Sequence, residues 1–286
     1  MDSIKEALRK QGYIADRSLT VTLQLIMALE KPLLIEGPAG VGKTELAKVL
    51  ATVLNTKLIR LQCYEGLDTA TALYEWNYSK QMLYIRMSEN ETPIDGKKSL
   101  NIFDEQFLLR RPLLDALMEE EKAPVLLIDE IDRADEAFEA FLLEVLGEFQ
   151  VTIPELGTIQ AQHKPHVILT SNRTRELSDA LRRRCLYEWI DYPDMEKETE
   201  ILRARLPGIE KRLAEHVAST MQQLREMSFY KLPGVAESLD WARALSVIDN
   251  TEEGKIPITK TLGCIAKNQS DWNMLSEKID ILREIE

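Results

Sequence analysis

The sequence predicts an α/β fold, a doubly wound parallel sheet followed by a smaller all-helical domain, and three observations carry that prediction. Five short apolar runs are each followed by polar or helical sequence, the pattern of parallel strands covered on both faces. A glycine-rich segment joins the first run to a helical pattern. After Tyr192-Pro193 strand-like runs stop and amphipathic helices recur.

The strand runs are PLLIE (Pro32 to Glu36), KLIRLQC (Lys57 to Cys63), VLLID (Val125 to Asp129), HVILTS (His166 to Ser171) and LYEWID (Leu186 to Asp191). Between them, Thr44 to Leu54 places Leu46, Ala47, Leu50, Val53 and Leu54 on one stripe, as an amphipathic helix requires. Asp135 to Leu146 opens with acids, repeats Phe138, Phe141, Leu142 and Val145, and meets Gly147, which reads as its C-terminal stop. QVTIPELGTIQA, Gln150 to Ala161, breaks the alternation and reads as a β-hairpin turning through Pro-Glu-Leu-Gly. Beyond Pro193 the helical segments are ETEILRARL, IEKRLAEHVASTMQQLREM, AESLDWARALSVI and DWNMLSEKIDILREI.

Composition narrows the setting. The chain has 286 residues, 44% hydrophobic and 29% charged, ordinary for a globular protein. The longest candidate span, LTVTLQLIMAL, falls short of the roughly 18 apolar residues a membrane helix needs. MDSIKEALRK lacks the apolar core of a secretory signal. Three scattered cysteines, Cys63, Cys185 and Cys264, form no CxxC pair. These features together lead us to expect a cytoplasmic protein. A net charge of −12 argues against a protein that grips long nucleic acid non-specifically.

Two motifs carry chemistry. GPAGVGKT fits G-x-x-x-x-G-K-[ST]: Gly37, Pro38, Ala39, Gly40, Val41 and Gly42 form a loop able to wrap anionic oxygens with backbone N–H groups. Lys43 would reach the β- and γ-phosphates, and the Thr44 hydroxyl would ligate Mg²⁺. VLLIDE supplies the second half, with Asp129 at the C-terminal end of a buried strand, where ligands bind in open α/β sheets. Asp129 would hold Mg²⁺, largely through water, and Glu130 would polarise the attacking water. Asn172 at a strand tip could orient that water. Arg182, Arg183 and Arg184 end a short helix before the fifth strand; they either complement the helix dipole or reach a neighbour's γ-phosphate.

Weaker candidates complete the survey. His163, His166 and His216 form no ligand set with the cysteines. Cys185 beside the arginines is either a thiol of depressed pKa or a buried structural one. LYEWNY, Leu73 to Tyr78, is a binding surface or core packing, and MEEEK, Met118 to Lys122, reads as a solvated helix end.

Taken together, LLIEGPAGVGKTELAK, LLIDEIDRADEAFEAFLLEVL, VTIPELGTI, VILTSNRTRELSDALRRRC and the helical tail resemble the AAA+ ATPases, in particular the MoxR-type family. RLQCYEGLD (Arg60 to Asp68) and ALYEWNY (Ala72 to Tyr78) resemble the branch that includes the ATPase maturing the metal centre of carbon monoxide dehydrogenase. The resemblance implies a P-loop nucleotide-binding core over residues 1–192, with a helix-2 insert at about 67–99 and a pre-sensor hairpin at 150–161, and a helical lid over 193–286. It implies ATP and Mg²⁺ as cofactors, with Asp129 and Glu130 as Walker B and Asn172 as sensor 1. Arg184 matches the usual arginine-finger position, with Arg183 next to it. It also implies a homo-oligomeric ring, usually a hexamer, with ATP between subunits, a von Willebrand A-domain partner and a client enzyme complex. Sensor 2 departs from the family pattern: Ser238 stands near the place of its arginine and Arg243 is the nearest substitute. Asp132 stands where many relatives have Asn. The leading expectation is a chaperone-like ATPase that matures or assembles a protein complex. The alternatives are a nucleic-acid-dependent motor and a nucleotide-gated scaffold.

Overall fold

In a computed structural model the protein is described over residues 2–88, 101–227, 229–249 and 258–277. The chain begins with helices α1 (Asp2–Lys10) and α2 (Arg17–Leu29), strand β1 (Leu33–Glu36), α3 (Lys43–Leu54) and β2 (Leu58–Gln62). Next come α4 (Thr69–Ala72), β3 (Tyr74–Trp76), α5 (Tyr78–Ser88), β4 (Leu108–Arg110) and α6 (Pro112–Leu117). Strand β5 (Val125–Asp129), α7 (Glu136–Glu148), β6 (Gln150–Ile153), β7 (Gly157–Gln160), β8 (His166–Ser171), α8 (Asp179–Arg184) and β9 (Leu186–Trp189) follow. The tail holds α9 (Met195–Arg205), α10 (Lys211–Arg225), α11 (Val235–Asp249), α12 (Leu262–Ile265) and α13 (Gln269–Glu277). The last stretch of the final expected helix, 278–285, lies outside the described residues, as does 89–99 of the expected insert.

All five apolar runs are strands of one parallel sheet, ordered β2-β5-β8-β1-β9. β2 and β5 pair in register from Leu58↔Val125 to Gln62↔Asp129, and β5 and β8 from Val125↔His166 to Ile128↔Leu169. β1 and β5 are buried at every position, which explains why their sequences show no polar alternation.

The chain resolves into two compact units. One, residues 22–35 and 50–188, holds nearly all of the sheet. Its core joins Leu126, Ile128, Leu113, Leu114, Phe138 and Val145. Two small antiparallel pairs project from this layer. β6 and β7 form the expected hairpin, with Ile153 opposite Gly157 and Gly157 left-handed at φ 84°. β3 and β4, which pair Tyr74↔Arg110 and Trp76↔Leu108, were not evident in the sequence. Leu73 and Trp76 are buried, Trp76 meeting Phe103 edge-on at 5.4 Å, whereas Tyr78 is exposed. Packing therefore accounts for most of the LYEWNY aromatics. The run Met118 to Lys122 follows the end of α6, with Glu120, Glu121 and Lys122 exposed as expected; Glu119 alone departs, being buried and accepting from Lys57 Nζ at 2.6 Å.

One boundary departs from the sequence reading. Gly147 does not stop α7, which continues to Glu148 and hands the left-handed C-cap to Phe149 (φ 52°). A Cβ on Gly147 would lie 2.9 Å from Arg184 Nη1, the movable tip of an exposed side chain. The helix start is as the acids require, with the Asp135 carboxylate accepting from Phe138 N–H at 2.8 Å.

The second unit comprises residues 1–21, 36–49 and 189–286. Its core is helical: Leu202, Ala214, Val217, Met221, Leu224 and the fully buried Trp241 pack together. The indole of Trp241 donates to Thr261 Oγ1 at 2.8 Å, as a buried Trp requires.

Candidate functional site

The glycine-rich segment leaves β1 through three glycines with positive φ: Gly37 at 154°, Gly40 at 80° and Gly42 at 94°. Side chains rarely adopt these angles, and a Cβ on Gly37 would run into the Ile190 carbonyl. Val41 is buried and anchors the loop. Lys43 opens α3 and is itself buried. Its ammonium donates to the carbonyls of Gly37 at 2.7 Å and Pro38 at 2.6 Å, so it lies across the mouth of the loop. Thr44 follows, half-buried in the first helical turn. A left-handed glycine loop, a helix N-terminus and an ammonium form a donor set suited to a polyphosphate.

Asp129 and Glu130 sit at the C-terminal tip of β5. Asp129 is 2% exposed, and both of its oxygens are engaged. Thr170 Oγ1 on β8 donates to Oδ1 at 2.6 Å, while Arg60 on β2 donates to Oδ2 through Nη2 at 2.6 Å and Nε at 3.1 Å. Glu130 takes a left-handed backbone (φ 56°, ψ 50°), a strain of order 1–3 kcal/mol for a non-glycine residue. Its N–H donates to Thr170 Oγ1 at 2.9 Å. Its Oε2 accepts from Gln62 Nε2 at 3.1 Å and faces Arg133 Nη1 at 3.1 Å. Thr170 is thus one hydroxyl serving both acids. The field of this cluster reaches Cys63, whose pKa burial pushes up to about 12, with Asp129, Asp132 and Glu130 adding to the rise.

The loop after β8 is tied to Asp132. That carboxylate is 3% exposed and accepts at Oδ2 from Asn172 N–H (3.2 Å), Thr174 N–H (2.9 Å) and Thr174 Oγ1 (2.7 Å). Oδ1 has no hydrogen-bond partner among the described residues. Asp132 therefore fixes the backbone that carries Asn172.

The two arginines differ. Arg184 donates from Nη1 to the Leu143 carbonyl on α7 of its own chain, over Gly147. Arg183 is exposed, with no ion pair to any described residue. Neighbouring Cys185 is pushed up to about 12 by burial, so the thiol is the buried structural kind. In the helical unit, Ser238 is fully buried and donates to Glu198 Oε1 at 2.5 Å. Arg243 is exposed, 3.9 Å from Asp240 one turn back. Sequence reasoning missed Arg60, Gln62 and Thr170; the signal available was their place on the strands flanking β5.

A parallel sheet ordered β2-β5-β8-β1-β9, with a glycine-built loop after its first strand and two adjacent acids at the tip of β5, defines a P-loop nucleotide-binding fold. Comparison with known families is consistent: residues 32–185, more than half of the chain, match the AAA domain of the dynein-related subfamily. The protein belongs to this AAA ATPase family. Relatives include an uncharacterized protein of Staphylococcus epidermidis, 26% identical over 237 residues and 81% of each chain. Another is an uncharacterized protein of Staphylococcus haemolyticus, 27% identical over 243 residues, covering 82% of this chain and 84% of that one. Among solved structures, one variant of Thermotoga maritima RuvB aligns with TM-score 0.51, at 20% identity over 93% of this chain and 75% of that one. A second variant aligns with TM-score 0.50 at 20% identity over the same shares. At this identity the likeness concerns the fold. No helix among the described residues is long and apolar enough to cross a membrane.

Proposed function

We propose that the protein is a Mg²⁺-dependent ATPase of MoxR type that remodels, matures or assembles a protein complex, a metalloenzyme among its candidate clients. The observation that carries the nucleotide part is the loop itself: three glycines at positive φ beside a buried lysine whose ammonium lies across the loop mouth. Residues 1–192 serve as the nucleotide-binding core and 193–286 as the lid. Gly37 to Thr44 hold the phosphates through backbone N–H groups and Lys43. Thr44 and Asp129 offer the oxygen ligands that a hard divalent cation takes. The cation, when bound, neutralises charge that develops on the transferred phosphoryl group.

Glu130 accepts the proton of the attacking water or orients it, and Asn172, held through Asp132, sets the water's second contact. Arg184, or Arg183 beside it, supplies the trans-acting cation once chains assemble into a ring, a hexamer by resemblance. Such a finger is worth about 10³ to 10⁵ in rate. Arg243 is the nearest cation on α11 to the sensor 2 place, and Arg243→Ala tests that role. The MoxR resemblance further supports a von Willebrand A-domain partner and a cytoplasmic setting.

The test is ATP hydrolysis per subunit across protein concentration. The reading expects activity that climbs with concentration, requires Mg²⁺, and is lost in Glu130→Gln and in one of Arg184→Ala or Arg183→Ala. Activity unchanged in both arginine variants removes the trans role. No turnover at any concentration, with nucleotide still bound, favours a nucleotide-gated scaffold.

A further inference from the structure

We propose that the helical bundle α9–α11 is coupled to the phosphate loop through backbone, at the turn Pro233–Gly234–Val235, and that Arg225 and Glu198 are the positioning residues that set this turn. The inference rests on reading Gly37 to Thr44 as the nucleotide loop, and all its residues lie within one compact unit.

The contact leaves no room for a side chain. Val235 N–H donates to the Gly40 carbonyl at 3.0 Å. A Cβ on Gly234 would lie 2.9 Å from the Ala39 oxygen and 2.9 Å from Gly40 Cα. Those are backbone atoms, so the clash cannot be relieved by turning a rotamer. Conversely, a Cβ on Gly40 would meet Gly234 Cα at 3.2 Å and Glu237 Oε2 at 3.3 Å. Two glycines thus face each other, one at the centre of the phosphate loop and one at the start of α11.

The turn is held from behind by a buried ion pair. Glu198 is fully buried and the Arg225 side chain is 7% exposed. Arg225 grips Glu198 with Nη1 at 2.6 Å and Nη2 at 2.7 Å, and its Nε donates to the Pro233 carbonyl at 2.9 Å. Its guanidinium also stacks 4.8 Å over the Tyr192 ring. Glu198 further accepts from Ser238 Oγ at 2.5 Å and Gln222 Nε2 at 3.2 Å, and the single Ser238 hydroxyl hydrogen is shared with the Gly234 carbonyl at 3.1 Å. The hydrogen bonds of the pair thus run to the turn and to α10 and α11, while the guanidinium face rests on Tyr192. A buried pair is a weak source of stability, but its fixed fork geometry specifies where its partners sit. Here the pair holds the Pro233 carbonyl directly through Arg225 Nε and the Gly234 carbonyl indirectly, through the Ser238 hydroxyl on Glu198.

The same network accounts for the departure at Ser238. A hydroxyl pointing at Glu198 replaces a long cation at that place, and the link to the phosphate loop passes to the peptide of Val235. A shift of the Gly40 peptide on nucleotide binding then moves α11 directly, and α9 and α10 through Glu198 and Arg225.

The experiment uses the full chain in four forms: parent, Gly234→Ala, Arg225→Lys, and Gly263→Ala as a control, since a Cβ on Gly263 meets nothing within 4 Å. Amide exchange of the ligand-free proteins, followed in peptides spanning 37–44 and 233–240, reads the coupling without nucleotide. Affinity for a fluorescent ADP analogue reads its consequence. We expect faster exchange in both peptides and about tenfold weaker ADP binding in Gly234→Ala and Arg225→Lys, with the control like the parent. A purely structural role for the pair would lower the melting temperature of Arg225→Lys and leave its ADP affinity at the parent value, and that result overturns the proposal. So does unchanged exchange in Gly234→Ala. If the parent itself bound no ADP, the nucleotide reading would fall, while the ligand-free exchange would still decide whether turn and loop are coupled.

Discussion

Replacing Asp132 by Asn should be nearly neutral, whereas replacing it by Ala should be damaging. Three donors, Asn172 N–H, Thr174 N–H and Thr174 Oγ1, all converge on Oδ2 at 2.7 to 3.2 Å. Oδ1 has no hydrogen-bond partner among the described residues. An asparagine can therefore place its carbonyl where Oδ2 lies and its amide where Oδ1 lies, keeping all three bonds. It loses charge assistance on those bonds and leaves its amide hydrogens facing a buried position without an acceptor, and it gains relief from a buried, incompletely paired carboxylate, changes of opposite sign. We expect Asp132→Asn to change stability by less than about 1 kcal/mol. Alanine strips the acceptor and leaves two backbone donors and a hydroxyl without it. At about 1–3 kcal/mol per unsatisfied donor, with water reaching the exposed Thr174 and half-buried Asn172 and recovering part, the loss should be about 3 kcal/mol. In a chain of this size that corresponds to a fall of roughly 6–12 °C in melting temperature. Thermal unfolding of the three proteins, followed by far-UV circular dichroism, makes the comparison. An asparagine variant as damaged as the alanine one would refute the reasoning, because it would mean that the negative charge is what the Asn172 loop needs.

Other consequences are as direct. Arg60 holds Asp129 Oδ2, so Arg60→Gln should lower the Mg²⁺ concentration that half-saturates turnover; a higher requirement would show that Arg60 assists the cation instead of competing with it. Cys63 and Cys185, both pushed up to about 12, stay protonated at pH 8, and a thiol reagent should leave them unlabelled in the folded protein while labelling them in denaturant. Burial holds His166 below the ordinary imidazole range, with Glu30 opposing. The unfolded chain therefore takes up a proton near about pH 6.5 that the folded chain resists. Stability is full above that pH and declines below it, and His166→Gln should flatten the decline in melting temperature between pH 7 and 5.5.

What the sequence revealed were the features written in contiguous residues. β1 and β5 are buried on both faces, so their composition alone marked them, and the phosphate loop is one eight-residue phrase whose glycines answer to its own dihedral angles. The hairpin at 150–160 was equally local. What stayed hidden were pairings between distant residues. Arg60 meets Asp129 across 69 positions and Thr174 meets Asp132 across 42, through strand order that no short window contains. Gly147 shows how a local rule misleads. Glycine is the usual residue at a left-handed helix stop, but here α7 runs through Gly147 and Phe149 bears the left-handed turn. The three-residue strands β3 and β4 are too short to show a period, and their pairing depends on a chain that returns after a long insertion.

The central claim is that the loop Gly37 to Thr44 holds a nucleotide through its backbone and Lys43. Equilibrium binding of ATP to the Glu130→Gln protein, with and without Lys43→Ala, tests it most directly, because hydrolysis is removed from both arms. The account predicts saturable binding by Glu130→Gln and a loss of at least about tenfold when Lys43 is also replaced, the cost of one charge-assisted contact to phosphate. Equal binding by the two proteins, or none by either, would contradict it.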